Sequence, residues 1–200
     1  MSASAWEDRY RSGETPWEKG SGAPGLIDFL DHHPSLPRGT VLIPGCGTGH
    51  DVRSWARHGF ASTGLDLAPS AIRRCCEAPS DPAWQIHYSA GDFLGDQPST
   101  RYGWVFEHTL FCAIPPADRD RYVLAVRRWL QPGGHFLAIH YMLRDDGDGP
   151  PFGCTQEELM ERFTPHFELL RGWIPRSYPN RTGLELMLWW RHRPAPSQPI

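Results

Sequence analysis

The sequence predicts an α/β protein built on a mostly parallel β-sheet, because segments with strand and helix patterns alternate along the chain. A second observation is a glycine turn at Gly45, Gly47 and Gly49, between a predicted strand and a predicted helix. A third is that the conspicuous polar residues follow the predicted strands. In an open parallel sheet the carboxyl ends of the strands share one edge, and ligands bind there.

The first half of the chain contains three predicted strands and four predicted helices. The strands are at 40–44, 62–65 and 84–89, and the helices are at 5–12, 24–32, 49–58 and 69–76. Trp6 and Tyr10 are four residues apart and share a face of the first helix. Gly59 ends the third helix and Pro69 suits the first turn of the fourth. This order predicts parallel pairing of the strands.

The second half continues the alternation and ends differently. Strands are predicted at 102–107 and 135–141, and helices at 118–130 and 156–163. Thr155 and Glu158 form a capping-box pattern at the start of the last helix. Two apolar runs, 167–174 and 184–191, predict an antiparallel hairpin that makes the far edge of the sheet antiparallel. The tail, 193–200, is expected to be disordered.

Composition limits the class of protein. Two hundred residues suit one domain spanning 1–200, and a net charge of −3 gives no electrostatic footprint for nucleic acid. The five cysteines are odd in number and lack CxxC spacing, so neither a disulfide framework nor a metal site is indicated, and a cytoplasmic setting is favoured. No secretory or membrane-spanning segment is apparent. We expect a monomer acting on a small molecule.

The segment 41–66 predicts a strand-helix-strand unit that binds a nucleoside. Its glycines let the backbone approach a ligand, and Asp66 follows Gly47 by 19 residues, which suits a carboxylate that binds ribose hydroxyls. His50 stands where a dinucleotide-binding GxGxxG has its third glycine, and Asp51 disfavours a phosphate at the helix start. The pattern therefore favours S-adenosylmethionine, which has no pyrophosphate.

Another pair of residues follows the third predicted strand. Asp92 and Phe93 lie on the same sheet edge as Asp66, and we expect them to bind the adenine amine and to cover its ring.

Seven motifs resemble one family. They are WEDRYRSGETPWEKG (6–20), VLIPGCGTGHDV (41–52), GLDLAPSAI (64–72), GDF (91–93), EHTLFCAIPPADRDRY (107–122), LQPGGHF (130–136) and GPPF (149–152). With them the chain resembles the thiopurine S-methyltransferase family, and most closely its thiol and halide methyltransferase branch. The resemblance runs from Trp6 to about Phe163.

This resemblance implies the Rossmann-like class I methyltransferase fold: a seven-stranded, mostly parallel sheet, an antiparallel C-terminal hairpin and an N-terminal helical lid over 1–22. It also implies a set of contacts with S-adenosylmethionine. These would come from Trp6, Tyr10, Trp17, Gly45, Gly47, Asp66, Leu67, Asp92, Phe93 and His108.

For the methyl acceptor, the resemblance points to Tyr141 and His108 as catalytic residues. Members with thiopurine activity carry an arginine at the position of His108, so a small acceptor is favoured here. His140 and Arg144 are further candidate donors, and candidate apolar walls are Phe111, Ile114 and Trp17. Cys112 lies in an apolar run without an adjacent base and is interpreted as a small buried residue.

The predicted reaction is transfer of the methyl group of S-adenosylmethionine to a halide, hydrosulfide or small thiol by in-line displacement. A first alternative is S-methylation of aromatic or heterocyclic thiols. Alternatives of another class are an NAD-dependent oxidoreductase and a non-catalytic nucleotide-binding protein.

Overall fold

A seven-stranded sheet forms the centre of the molecule in a computed structural model, which describes residues 2–144 and 147–193. The strands are β1 (Thr40–Pro44), β2 (Ala61–Asp66), β3 (Ile86–Ala90), β4 (Tyr102–His108), β5 (Leu130–Tyr141), β6 (Phe167–Trp173) and β7 (Glu185–His192). The helices are α1 (Ala3–Ser12), α2 (Pro24–His32), α3 (His50–Arg57), α4 (Pro69–Glu77), α5 (Arg119–Trp129) and α6 (Gln156–Phe163). The tail predicted to be disordered lies outside the described residues, apart from Arg193.

The strand order, β3-β2-β1-β4-β5-β7-β6, confirms the predicted architecture. The first five strands are parallel, and β7 is antiparallel to both β5 and β6. The predicted antiparallel hairpin forms the far edge, where β7 enters the sheet beside β5 and places β6 at the edge. The edge strand therefore runs in the same direction as β1 to β5.

Both faces of the sheet are buried. Successive side chains of a strand point to opposite faces, so neighbouring residues of one strand pack in different clusters. Trp104 and Phe106 of β4 pack in the cluster that includes residues of α2 and α3, whereas Val105 packs in the cluster that includes residues of α5 and α6. A third, small cluster joins Tyr10 and Trp17 to α4 and the residue before it. The segment before α2 is therefore packed separately from the two main cores.

Some boundaries differ from the prediction. β5 begins at Leu130, directly after α5, since Leu130 pairs with Tyr102 and a register shift follows. Gly133, with φ of 76°, turns the chain within this irregular stretch. The Thr155 hydroxyl accepts the Glu158 N–H as predicted, but the Glu158 carboxylate binds Arg119 instead of completing the capping box. No helix in the described ranges has the length and apolar character needed to cross a membrane.

Candidate active site

A cavity of about 420 Å³ lies at the carboxyl ends of the parallel strands. The sheet edge predicted from the sequence is thus the edge that carries the cavity. Every residue predicted to contact the cofactor or to be catalytic, except Gly47, lines it: Trp6, Tyr10, Trp17, Gly45, Asp66, Leu67, Asp92, Phe93, His108 and Tyr141. Gly47 lines a smaller cavity of about 70 Å³, which shares Trp17, Gly45 and His108 with the larger one.

The glycine turn is suited to a ligand that approaches the backbone. Gly45 and Gly47 have φ of 62° and 55°, in the left-handed region where residues with a Cβ are strained. A Cβ on Gly45 would lie 2.8 Å from Leu110 Cδ1, and one on Gly47 would lie 2.5 Å from Glu18 Oε1. Both positions therefore require glycine, and Gly45 borders the cavity before α3, where we expect the methionine end of the cofactor.

Asp66 is placed as a ribose-binding carboxylate requires. Its Oδ2 accepts the Gly47 N–H at 2.9 Å, and its Oδ1 accepts the Ala68 N–H at 2.9 Å. Burial raises the pKa of Asp66 to about 6 although these N–H groups oppose the shift. Since a carboxylate has about four acceptor positions, both oxygens can still accept hydroxyl groups from the cavity. Asp66 therefore fits the nucleoside end of S-adenosylmethionine.

The aromatic residues of the N-terminal segment (residues 1–22) converge on the cavity. Trp17 Nε1 donates to the Tyr10 hydroxyl at 3.0 Å, and the rings of Trp6 and Trp17 meet edge to face, 5.3 Å apart. Their faces can attract the sulfonium of the cofactor. Tyr10 and Trp17 also pack against Ala68 and Ala71, so this aromatic segment is docked on the domain.

Asp92 and Phe93 are more constrained than the sequence suggested. Asp92 Oδ1 accepts the Leu94 N–H at 2.9 Å. Phe93 is 6% exposed, and its ring packs against Tyr122 and Trp129. Both residues border the cavity, so contact with adenine is sterically open to them, but Phe93 is first of all a core residue.

His108 lies between two carboxylates. Its Nδ1 is 3.1 Å from Asp51 Oδ2, and its Nε2 is 3.6 Å from Glu185 Oε1. Burial lowers the pKa of His108, but the two carboxylates outweigh burial and raise it to about 9. The imidazole is therefore a cation at neutral pH. The contact with Asp51 was not predicted from the sequence, in which Asp51 is considered only as part of the start of a helix.

Arg181 also lines the cavity and was not predicted from the sequence. Its guanidinium carbon lies 4.9 Å from the centre of the Tyr141 ring, and its Nη1 is 3.3 Å from Glu185 Oε1. The register of β5 and β7 explains the position, because Tyr141 lies opposite Glu185 in that pairing. No local sequence signal indicates that the loop before β7 reaches this site.

Several secondary candidates lie elsewhere. Phe111 and His140 are buried in the core, and Arg144 is exposed outside the cavity lining. Ile114 does line the cavity, as predicted. Cys112 borders it while only 6% exposed, and burial raises the pKa of its thiol to about 12. Cys112 therefore stays protonated at neutral pH.

His140 forms a buried pair with Glu107. His140 Nδ1 lies 3.2 Å from Glu107 Oε1, while Glu107 Oε2 accepts the N–H groups of Leu110 and Phe111. Burial raises the pKa of Glu107 to about 7 against these two hydrogen bonds. Burial, assisted by the charge of Arg119, lowers the pKa of His140 to about 3. Between these values both side chains are neutral.

We expect Glu107→Gln to change how stability depends on pH. Because the folded pKa of about 7 exceeds the ordinary value of 4.5, folding keeps a proton that the unfolded chain loses. The free energy of unfolding of the parent, relative to the variant, should fall by a few kcal/mol as pH rises from about 4.5 to about 7, at about 1.4 kcal/mol per pKa unit. Urea denaturation across this range measures the difference.

Glutamine suits this comparison, since its oxygen can accept the Leu110 N–H and its amide can face His140 as a protonated carboxyl group does. A difference between parent and variant that stays constant over the range would contradict the prediction.

Comparison with known proteins agrees with this geometry. The family model for thiopurine S-methyltransferase matches residues 1–172. Probable thiol methyltransferase 2 of Arabidopsis thaliana is 31% identical over 166 residues, covering 82% of this chain and 73% of the relative. Thiocyanate methyltransferase 1 of Brassica oleracea is 33% identical over 149 residues, covering 74% of this chain and 66% of the relative.

A solved structure shows the same fold. The 1,6-didemethyltoxoflavin-N1-methyltransferase of Burkholderia thailandensis, crystallised with S-adenosylhomocysteine, superposes with a TM-score of 0.73 at 18% identity, over 96% of this chain and 87% of the other. The predicted class I methyltransferase fold is thereby confirmed, and the alternative of a nicotinamide-dependent oxidoreductase is excluded by the family match. The chain belongs to the thiopurine S-methyltransferase family and is an S-adenosylmethionine-dependent methyltransferase.

Proposed function

We propose that this enzyme methylates a small, soft, anionic acceptor: a halide, hydrosulfide, thiocyanate or small thiolate. The size of the cavity carries the proposal. Pockets that bury a single drug-sized ligand measure about 300–1,000 Å³. A cavity of about 420 Å³ that must accept the cofactor and the acceptor together leaves room for an acceptor of few atoms. The names of the two plant relatives, for thiol and for thiocyanate, agree with this class.

The reaction requires little chemical assistance from the protein. S-adenosylmethionine supplies a methyl group already activated by a sulfonium. A lone pair of the acceptor forms the new bond to carbon as the bond from carbon to the sulfonium breaks, and the bonding electrons stay on the sulfur of S-adenosylhomocysteine. An anionic acceptor carries no proton to remove, so no general base is required. The residues of the chain position the acceptor in line and exclude water.

The residues around the cavity suit such an acceptor. Ile114, Pro150 and Pro151 give an apolar wall. Tyr141 and His108 offer donor groups at the same end, on neighbouring strands of the sheet. A soft anion, which is weakly hydrated, can lie against an apolar wall while one or two donors fix its direction.

Headspace analysis tests the proposal. We expect the purified enzyme with S-adenosylmethionine to form methyl iodide from iodide, methanethiol from hydrosulfide, or methyl thiocyanate from thiocyanate, with one S-adenosylhomocysteine per product. Tyr141→Phe keeps the ring beside Arg181 and removes the hydroxyl, so it should lower kcat for these acceptors while cofactor affinity stays unchanged. Turnover of an aromatic thiol alone, with none of these anions methylated, would overturn the proposal in favour of the thiopurine-like alternative.

A further inference from the structure

Arg181 has a guanidinium whose position calls for an explanation. Its side chain is 7% exposed although it borders the cavity. Within the described residues every hydrogen bond of the guanidinium starts from Nη1, which donates to Glu185 Oε1 at 3.3 Å and to Thr109 Oγ1 at 3.4 Å. Nη1 also lies 3.4 Å from His108 Nε2, which as part of a cation cannot accept a hydrogen bond. These contacts are long. A guanidinium has five N–H groups, and in the described residues those of Nε and Nη2 have no protein acceptor.

The backbone beside Arg181 is itself unusual. Thr109 has φ of 57°, the one non-glycine residue with positive φ in the described ranges. A β-branched residue is strained there, and such strain persists where the surrounding structure requires it. The conformation holds Thr109 Oγ1 within reach of Arg181 at the end of β4. Two elements, β4 and the loop before β7, thus converge on the guanidinium.

Apart from Arg9 and Lys19 of the N-terminal segment, the charged residues that line the cavity lie towards its two ends. The acidic residues lining it, Asp66 and Asp92, are at the end that suits the nucleoside. Arg181 is at the other end, with His108 and Tyr141, and its guanidinium lies over the Tyr141 ring. Glu185 offsets part of its charge from beneath, where that carboxylate is buried. The N–H groups of Nε and Nη2, which have no hydrogen-bond partner in the described residues, remain available to a ligand in the cavity.

We propose that Arg181 binds the anionic acceptor directly and makes the enzyme select anions over neutral nucleophiles, an inference that rests on the proposed function. A guanidinium is more weakly hydrated than an ammonium and is fully charged at all relevant pH values. It therefore suits weakly hydrated anions such as iodide, thiocyanate and thiolates. Its contact with the Tyr141 ring restricts the direction of the N–H groups and so the place of the anion relative to the methyl group.

The test measures anion binding apart from catalysis. Thiocyanate is titrated by calorimetry into the enzyme saturated with S-adenosylhomocysteine, a complex that cannot react. Arg181→Gln should weaken thiocyanate binding, and lower kcat/KM for iodide and thiocyanate, by about tenfold or more, as loss of charged hydrogen bonds predicts. Arg181→Lys should retain part of both. Affinity for S-adenosylhomocysteine should not change.

Arg176→Gln is the matched control, because Arg176 belongs to the same loop and pairs with Asp28 at 2.6 Å outside the cavity. This variant should bind thiocyanate as the parent does. If loss of the charge next to buried Glu185 prevents folding, the double variant Arg181→Gln with Glu185→Gln removes both charges and takes its place. Folded variants without Arg181 that bind thiocyanate like the parent would overturn the inference.

The two proposals can fail separately. If the parent binds thiocyanate, the Arg181 variants do not, and the parent methylates no anion, the anion site stands and the proposed function is refuted. If the Arg181 variants methylate anions as well as the parent does, the proposed function stands and the role of Arg181 is refuted. A parent that neither binds nor methylates any of the anions refutes both.

Discussion

Asp66→Ala is expected to weaken the binding of S-adenosylhomocysteine by on the order of 100-fold, because charged hydrogen bonds contribute about 1.5–3 kcal/mol each and a ribose offers two hydroxyls. The substitution also releases the Gly47 N–H, which Asp66 holds at 2.9 Å. The glycine turn thus loses its link to β2 at the same time as the cofactor loses its acceptor. Calorimetry with S-adenosylhomocysteine measures the change.

Asp81→Ala is the matched control for this prediction. Asp81 accepts the N–H of Ala83, two residues on, at 2.9 Å, just as Asp66 accepts that of Ala68, but it lies in an exposed loop. The control should bind S-adenosylhomocysteine like the parent. Equal affinities of parent and Asp66→Ala would show that the ribose is held elsewhere.

The same carboxylate should make cofactor binding depend on pH. Burial raises the pKa of Asp66 to about 6, so the carboxylate gains a proton as pH falls through that value. A protonated carboxyl group accepts hydroxyl hydrogens less well. The affinity of the parent for S-adenosylhomocysteine should therefore fall below about pH 6, whereas Asp66→Ala should not show this component.

What the sequence could predict follows from local pattern and from the geometry of parallel sheets. Asp66, His108 and Tyr141 come at the ends of β2, β4 and β5, and parallel strands bring such ends to one edge without any knowledge of packing. The glycine turn was recognisable because its spacing between a strand and a helix is local. These residues do line one cavity.

The missing part of the site depends on contacts between distant segments. Arg181 meets His108 across 73 residues, and Asp51 meets it across 57. The Arg181 contact requires β7 to enter the sheet beside β5, whereas a hairpin pattern alone leaves open which of its strands is the inner one. The Asp51 contact requires α3 to lie beside the end of β4. The charge state of His108 could not be predicted for the same reason, since it follows from two carboxylates on other elements.

The largest loss of cofactor binding is expected from deletion of residues 1–20. The deletion removes the cavity-lining residues that belong to this part of the chain: Trp6, Arg9, Tyr10, Pro16, Trp17 and Lys19. Affinity for S-adenosylhomocysteine should fall by roughly 100-fold or more, since each large apolar side chain buried against the ligand contributes about 1.5–3 kcal/mol. Far-ultraviolet circular dichroism should still show the α/β domain.

The packing explains why the domain should survive. Tyr10 and Trp17 form a small cluster with Ala68 and Ala71, distinct from the clusters on the two faces of the sheet. The remaining attachments are polar. Glu7 accepts the backbone N–H of Ser70 at 2.9 Å, and Glu18 accepts that of Thr48 at 3.2 Å.

The Glu7 carboxylate allows attachment of the N-terminal segment to be tested apart from contact between its aromatic side chains and the cofactor. Glu7→Gln removes a charge that binds the start of α4, where Ala68 provides no side-chain cap, and leaves every cavity-lining residue in place. It should reduce affinity for S-adenosylhomocysteine far less than the deletion does. If the deletion leaves affinity unchanged, the aromatic residues do not hold the cofactor. If Glu7→Gln matches the deletion, docking of the segment rather than contact by its aromatic side chains limits binding.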